Sequence, residues 1–116
     1  MTPRSFRNAR LLIVDDEDAN IEILQRILTR AGFSKIESTN DSRRATALYV
    51  EHRPDLILLD LHMPHMDGLE VMEQLNEIAE ASYLPILILS GDLTPEARRD
   101  ALSRGAKDFV NKPFQQ

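Results

Sequence analysis

No cysteine occurs among the 116 residues, so a disulfide framework, a thiolate metal site and a cysteine nucleophile are all excluded. An excess of basic residues is missing as well: 14 Lys and Arg face 19 Asp and Glu, leaving a net charge of −5. A surface that neutralises phosphate backbones needs the opposite balance, which argues against nucleic-acid binding by this chain. No apolar run approaches the roughly 18 residues of a membrane span. Met1 to Arg10 are mostly polar or charged, so no secretory apolar segment opens the chain. Internal repeats, low-complexity stretches and linkers are lacking too. The expectation is an acidic, cytoplasmic protein. What the chain does have is 42% hydrophobic and 28% charged residues, too apolar a mixture for disorder. Its length is that of one domain, able to bury roughly two-thirds of its unfolded surface.

Short apolar runs alternate with amphipathic stretches. Leu11–Val14, Leu56–Leu59 and Ile86–Leu89 are continuous runs of Leu, Ile and Val, the pattern of strands buried on both faces. Lys35–Thr39 and Asp108–Asn111 mix polar with apolar residues, as edge strands do. Helical patterns lie between them. Ile21, Leu24, Leu28 and Ala31 step by three and four, and Gly32 follows as a stop. Asp41 is a candidate cap before Ala45, Leu48 and Tyr49. Asp67 and Glu70 form a capping-box pattern ahead of Met72 and Leu75. Thr94 and Pro95 open a last helix that Gly105 closes. The order β-α-β-α-β-α-β-α-β predicts an α/β fold, a flavodoxin-like doubly wound parallel sheet of five strands in the order 2-1-3-4-5.

Ligands of such sheets bind beyond the carboxyl ends of the strands, at the point where strand order reverses. Those ends read Asp15-Asp16, Asp60, Ser90 and Asn111-Lys112, spaced as successive strand–helix units. Three carboxylates thus converge with a hydroxyl and an ammonium. Two unit charges about 4 Å apart repel by roughly 4 kcal/mol at an effective dielectric near 20. Lys112 offsets part of this, and a divalent cation would offset the remainder. Ligands that are all oxygen favour Mg²⁺.

These residues resemble the receiver domain of two-component response regulators. The likeness rests on Asp15-Asp16, on Asp60 within Leu58-Leu59-Asp60, on Met63-Pro64-His65-Met66-Asp67-Gly68, on Ser90 and on Lys112-Pro113-Phe114. It runs from Leu11 to Phe114. It implies that Asp60 accepts a phosphoryl group from a histidine kinase, with Mg²⁺ held by Asp16, Asp60 and the backbone carbonyl of His62, and by Asp15 directly or through water. Ser90 and Lys112 would each meet a phosphoryl oxygen. Phe109 stands where relatives carry a switch aromatic, often Tyr, and Lys112-Pro113 matches a customary cis peptide. The implied partners are a sensor histidine kinase or phosphotransfer protein and an output domain, own or separate, with a second copy of the chain as a further candidate. The words around Asp60 look somewhat like receivers fused to cyclic-dinucleotide phosphodiesterases. The domain itself is expected to be a phosphorylated switch and not an enzyme.

Several residues have plainer readings. Asp15 and Asp16 suit the first turn of a helix, Ser90 suits a strand end, Phe109 a core position and Lys112 a surface. His62 and His65 lack a Cys or His cluster that would make them a metal pair, and His52 complements a helix C-terminus. Two other functions compete with this one. Asp16-Glu17-Asp18 superficially offers the nucleophile motif of Rossmann-like phosphohydrolases, but Ala19-Asn20 follow it and Asp60 is left unexplained. A pseudo-receiver that only binds partners is opposed by the intact set of site residues. Relatives continue into a fifth helix after Lys112-Pro113-Phe114, whereas this chain stops at Gln116. Residues 1–116 are therefore expected to be one receiver domain from the N-terminal part of a longer protein. Four helices are expected, with an apolar strip exposed beside the first.

Overall fold

The computed structural model describes residues 8–79, 84–90 and 94–111, of which 108–111 are described as backbone. The elements are β1 (Arg10–Val14), α1 (Asp18–Arg30), β2 (Lys35–Thr39), a 3-10 turn (Ser42–Arg44), α2 (Ala45–His52), β3 (Leu56–Asp60), α3 (Gly68–Ala79), β4 (Ile86–Ser90), α4 (Pro95–Ser103) and β5 (Asp108–Asn111). All five strands are parallel and ordered β2-β1-β3-β4-β5, as the sequence pattern predicts.

Local signals account for the helix ends. The Glu70 amide donates to Asp67 Oδ1 at 3.0 Å, and Glu70 Oε1 accepts from the Asp67 amide at 3.4 Å, a reciprocal capping box. Thr94 Oγ1 accepts from the Ala97 amide at 3.2 Å, with Pro95 behind it. Gly32 and Gly105 take left-handed φ values of 107° and 113° and stop α1 and α4. Beyond them, Phe33 donates to the Leu28 carbonyl and Ala106 to that of Ala101, both at 3.1 Å. Asp41 caps the 3-10 turn that leads into α2, accepting from the Arg43 amide.

Alternation along the central strands builds two apolar layers. Leu12, Val14, Ile57, Leu59, Ile86 and Ile88 face α2, α3 and α4, packing with Leu48, Val71, Met72, Leu75 and Ala101. Ile13, Leu58 and Leu89 face the other way and pack with Ile21 and Leu24 of α1. The expected strip beside α1 is much narrower than predicted. Leu58 and Leu89 are buried, because Ile21 and Leu24 join them in one cluster; Leu56 and Leu87 are only partly buried at its margin. The large apolar side chains exposed among the described residues are Val50, Ile78 and Leu102, which sit on α2, α3 and α4. The expected lack of a fifth helix concerns the chain after Asn111, which lies outside the described residues. None of the described helices is long and apolar enough to cross a membrane.

Candidate functional site

The ladder register sets the site before any side chain is considered. Val14 pairs with Leu59 and Asp60 with Leu89, so β1, β3 and β4 end level with one another. Asp15 follows the last residue of β1, Asp60 is the last residue of β3, and Ser90 is the last of β4. Asp15 is 0% exposed, Asp60 3% and Ser90 0%. With Thr39 and Ser42 they complete the buried polar and charged residues identified among the described ones. All five lie at the same edge of the sheet, the edge where a doubly wound fold binds its ligands.

Backbone groups fix the acidic chains. The Glu17 amide donates to Asp15 Oδ1 at 2.9 Å, while the Asp15 amide donates to the Thr39 carbonyl at 3.2 Å. Asp16 is half-buried and lines a polar cleft of about 320 Å³ with residues 40–43 and 63–65. Across that cleft, Arg43 grips Asp41 with Nε on Oδ1 at 3.0 Å and a second nitrogen on Oδ2 at 3.1 Å. The hydrogen bonds from Arg43, side chain first and backbone second, hold the Asp41 carboxyl below its usual range. The charges of Arg43 and His65 add to the effect.

Gly68, the last residue of the motif that follows Asp60, shapes the site through its lack of a side chain. Its amide donates to the Leu61 carbonyl at 2.8 Å. A Cβ on Gly68 would lie 2.8 Å from Leu61 Cα and closer still to the carbonyl oxygen of Asp60. Only a residue without a side chain lets α3 begin against the peptide that carries Asp60. The signal was present in Asp67-Gly68, where a helix former would be expected just after a cap.

Asp15, Asp16 and Asp60 each bring one carboxylate oxygen within 4.8 Å of the other two. Two oxygens bound to one Mg²⁺ at roughly 2.0–2.1 Å stand at most about 4.2 Å apart, a difference that a small side-chain rotation covers. The donors are all hard oxygens, so this trio fits Mg²⁺. His62 lies exposed in the loop after β3. Phe109 pairs through its backbone with Ile88 across β4 and β5. Lys112 and Pro113, with the cis peptide expected between them, lie outside the described residues.

The receiver-domain pattern, described as the response regulator receiver domain, matches residues 11–116. The chain belongs to the response regulator receiver family. It is 40% identical over 110 residues to the sensory/regulatory protein RpfC of Xanthomonas campestris pv. campestris, covering 92% of this chain and 15% of that protein. It is 42% identical over 105 residues to the response regulator MprA of Mycolicibacterium vanbaalenii, covering 90% of this chain and 44% of that one. The chain thus spans less than half the length of these relatives. Among solved structures, the CheX–CheY–BeF3–Mg complex of Borrelia burgdorferi superposes with a TM-score of 0.88 at 28% identity, over 99% of this chain and 86% of the other. Chemotaxis protein CheY4 of Vibrio cholerae gives a TM-score of 0.85 at 30% identity, over 93% and 89%. The receiver domain is a phosphorylation-dependent signalling switch built on the CheY-like fold.

Proposed function

We propose that Asp60 is the phosphoacceptor of this receiver domain and that its donor is the phosphohistidine of a sensor histidine kinase or a phosphotransfer protein. The observation that carries this reading is the meeting of Asp15, Asp16 and Asp60 at the carboxyl ends of β1 and β3. An Asp60 oxygen forms the new P–O bond as the P–N bond to the donor imidazole breaks. The leaving nitrogen keeps the electron pair and takes up a proton. Bound Mg²⁺ supplies the positive charge that lets an anionic carboxylate approach phosphoryl oxygens. Asp16, Asp60 and the His62 carbonyl would hold that ion, with Asp15 acting directly or through a water. Ser90, buried at the end of β4, donates to one phosphoryl oxygen, and Lys112 pairs with another.

The phosphoryl group then biases Ser90 and Phe109 toward an active arrangement. Driving such an equilibrium from 1:99 to 99:1 takes about 5.5 kcal/mol, more than the one or two hydrogen bonds gained supply. Activation in the isolated domain is therefore partial, and an output domain, own or separate, completes it. The domain catalyses its own phosphorylation and dephosphorylation and turns over no other substrate. Its kinase encounter takes place in the cytoplasm.

Intact-mass spectrometry after incubation with acetyl phosphate and Mg²⁺ tests the assignment. One phosphoryl group is expected on the parent chain, and none on Asp60→Asn or with chelator present. An adduct on Asp60→Asn at parent yield overturns it.

A further inference from the structure

The two walls of the cleft beside Asp16 come from distant parts of the chain, and one hydroxyl joins them. Ser42, only 4% exposed, donates through Oγ to the Pro64 carbonyl at 3.3 Å. The same carbonyl accepts the Met66 amide at 2.8 Å. Ser42 is itself held. It opens the 3-10 turn capped by Asp41, and the Asp41 amide donates to Thr39 Oγ1 at 3.1 Å. The Thr39 carbonyl in turn accepts from the Asp15 amide. A continuous set of bonds therefore runs from Asp15, along the end of β2, to the loop between β3 and α3. His62 lies two residues before Pro64 in that loop.

We propose that Ser42 is a positioning residue of the metal site, setting the loop that presents the His62 carbonyl without touching the ion itself. The inference rests on the reading of Asp15, Asp16, Asp60 and His62 as the Mg²⁺ site. A backbone carbonyl has no rotamer of its own, so its aim depends on the path of the loop. That path includes His65 at φ 72°, a left-handed conformation that a non-glycine residue keeps only where surrounding contacts over-determine it. The Ser42 hydroxyl supplies such a contact from outside the loop.

Calorimetric titration of the chain with MgCl₂ separates a positioning role from a merely structural one. Ser42→Ala should bind Mg²⁺ about two- to ten-fold more weakly, the range expected for one lost supporting hydrogen bond. Ser42→Thr, which keeps the hydroxyl, should retain more of the affinity than Ser42→Ala. Leu48→Ala, which removes core packing from the helix that follows the turn, should lower the melting temperature and leave Mg²⁺ affinity unchanged. Parent-like binding by Ser42→Ala overturns the proposal, as does equal loss in the Ala and Thr variants, or weakening by Leu48→Ala as large as by Ser42→Ala. Asp60→Asn is the separate control for the underlying site: Mg²⁺ binding unaffected by that change overturns the metal reading itself.

Discussion

Replacing Gly68 by alanine tests the link between the start of α3 and the Asp60 peptide. The φ angle of Gly68 is not in the left-handed region, where only Gly32 and Gly105 among the described glycines are found. Backbone conformation alone would then favour alanine by about 0.4–1 kcal/mol, through the lower entropy of the unfolded chain. Sterics oppose it. The added Cβ would meet Leu61 Cα at 2.8 Å and the Asp60 carbonyl carbon at 3.1 Å, with the carbonyl oxygen nearer than either. These are backbone atoms of the last residue of the third strand, which is paired on both sides, and of Leu61 just after it, whose amide donates to the Leu89 carbonyl, so no flexible chain end can yield. Overpacking of this kind costs about 1–3 kcal/mol, which outweighs the entropic gain. Gly68→Ala should therefore unfold at lower urea concentration, with a melting temperature lower by about 4 °C for each kcal/mol lost. Its Mg²⁺ affinity should fall too, because the displaced peptide carries Asp60. A Gly68→Ala protein more stable than the parent would refute the reasoning, since the entropic effect would then stand unopposed.

Asp67→Ala removes the acceptor for the Glu70 amide and should cost about 1 kcal/mol by urea denaturation, with no loss of acetyl phosphate reactivity beyond the unfolded fraction. Asp16→Asn should raise metal-free stability by about 1 kcal/mol, well below the roughly 4 kcal/mol Coulomb value at 4 Å because Asp16 is half-exposed. The same variant should lose the thermal shift that Mg²⁺ gives the parent, which reaches about 2.7 kcal/mol at one hundred times Kd. Asp41 carries a lowered carboxyl pKa in the folded chain. Its contribution to stability is thus present above the unfolded value of 3.8 and is lost as pH falls through the lower folded value. In Arg43→Ala, an NMR titration should find the Asp41 carboxyl moved back up toward 3.8.

Features set by neighbours in the chain were legible in the sequence. The apolar runs Leu11–Val14, Leu56–Leu59 and Ile86–Leu89 each lie within an observed strand. Asp60 and Ser90 extend two of those strands by one residue, because backbone pairing continues one step after the apolar run ends. The caps at Asp67, Glu70 and Thr94 and the stops at Gly32 and Gly105 are likewise local. Asp15, Asp16 and Asp60 were legible as a group because strand order alone brings their ends together. Ser42 was not. Its hydroxyl answers to a carbonyl 22 residues away, and nothing beside it in sequence announces the partner. The exposed strip is narrower than expected for a related reason: the predicted stripe of α1 counted its apolar residues, but not how far across the sheet Ile21 and Leu24 join Leu58 and Leu89.

The placement of buried polarity separates what a receiver holds fixed from what it can move. Asp15, Asp60 and Ser90 belong to strand ends whose spacing is set by the ladder, and the ladder is anchored on both faces, by Leu12, Ile57 and Ile88 on one and by Ile13 and Leu89 on the other. A site carried on rigid elements keeps its geometry through repeated charging and discharging. The His62 loop and the turn at Ser42 are tied to that edge by individual hydrogen bonds, among them Ser42 Oγ to the Pro64 carbonyl and the Asp41 amide to Thr39 Oγ1, each worth only about 0.5–1.5 kcal/mol net. Those bonds are of the size that an added phosphoryl group can remake, whereas the packed layers beneath them, at about 1.5–3 kcal/mol per buried aliphatic side chain, are not. Conformational change on phosphorylation should accordingly be confined to the loops at the carboxyl edge. Hydrogen exchange of the β1, β3 and β4 amides should stay as slow with beryllofluoride bound as without it. Faster exchange in those central strands would show that the ladder itself takes part in the switch.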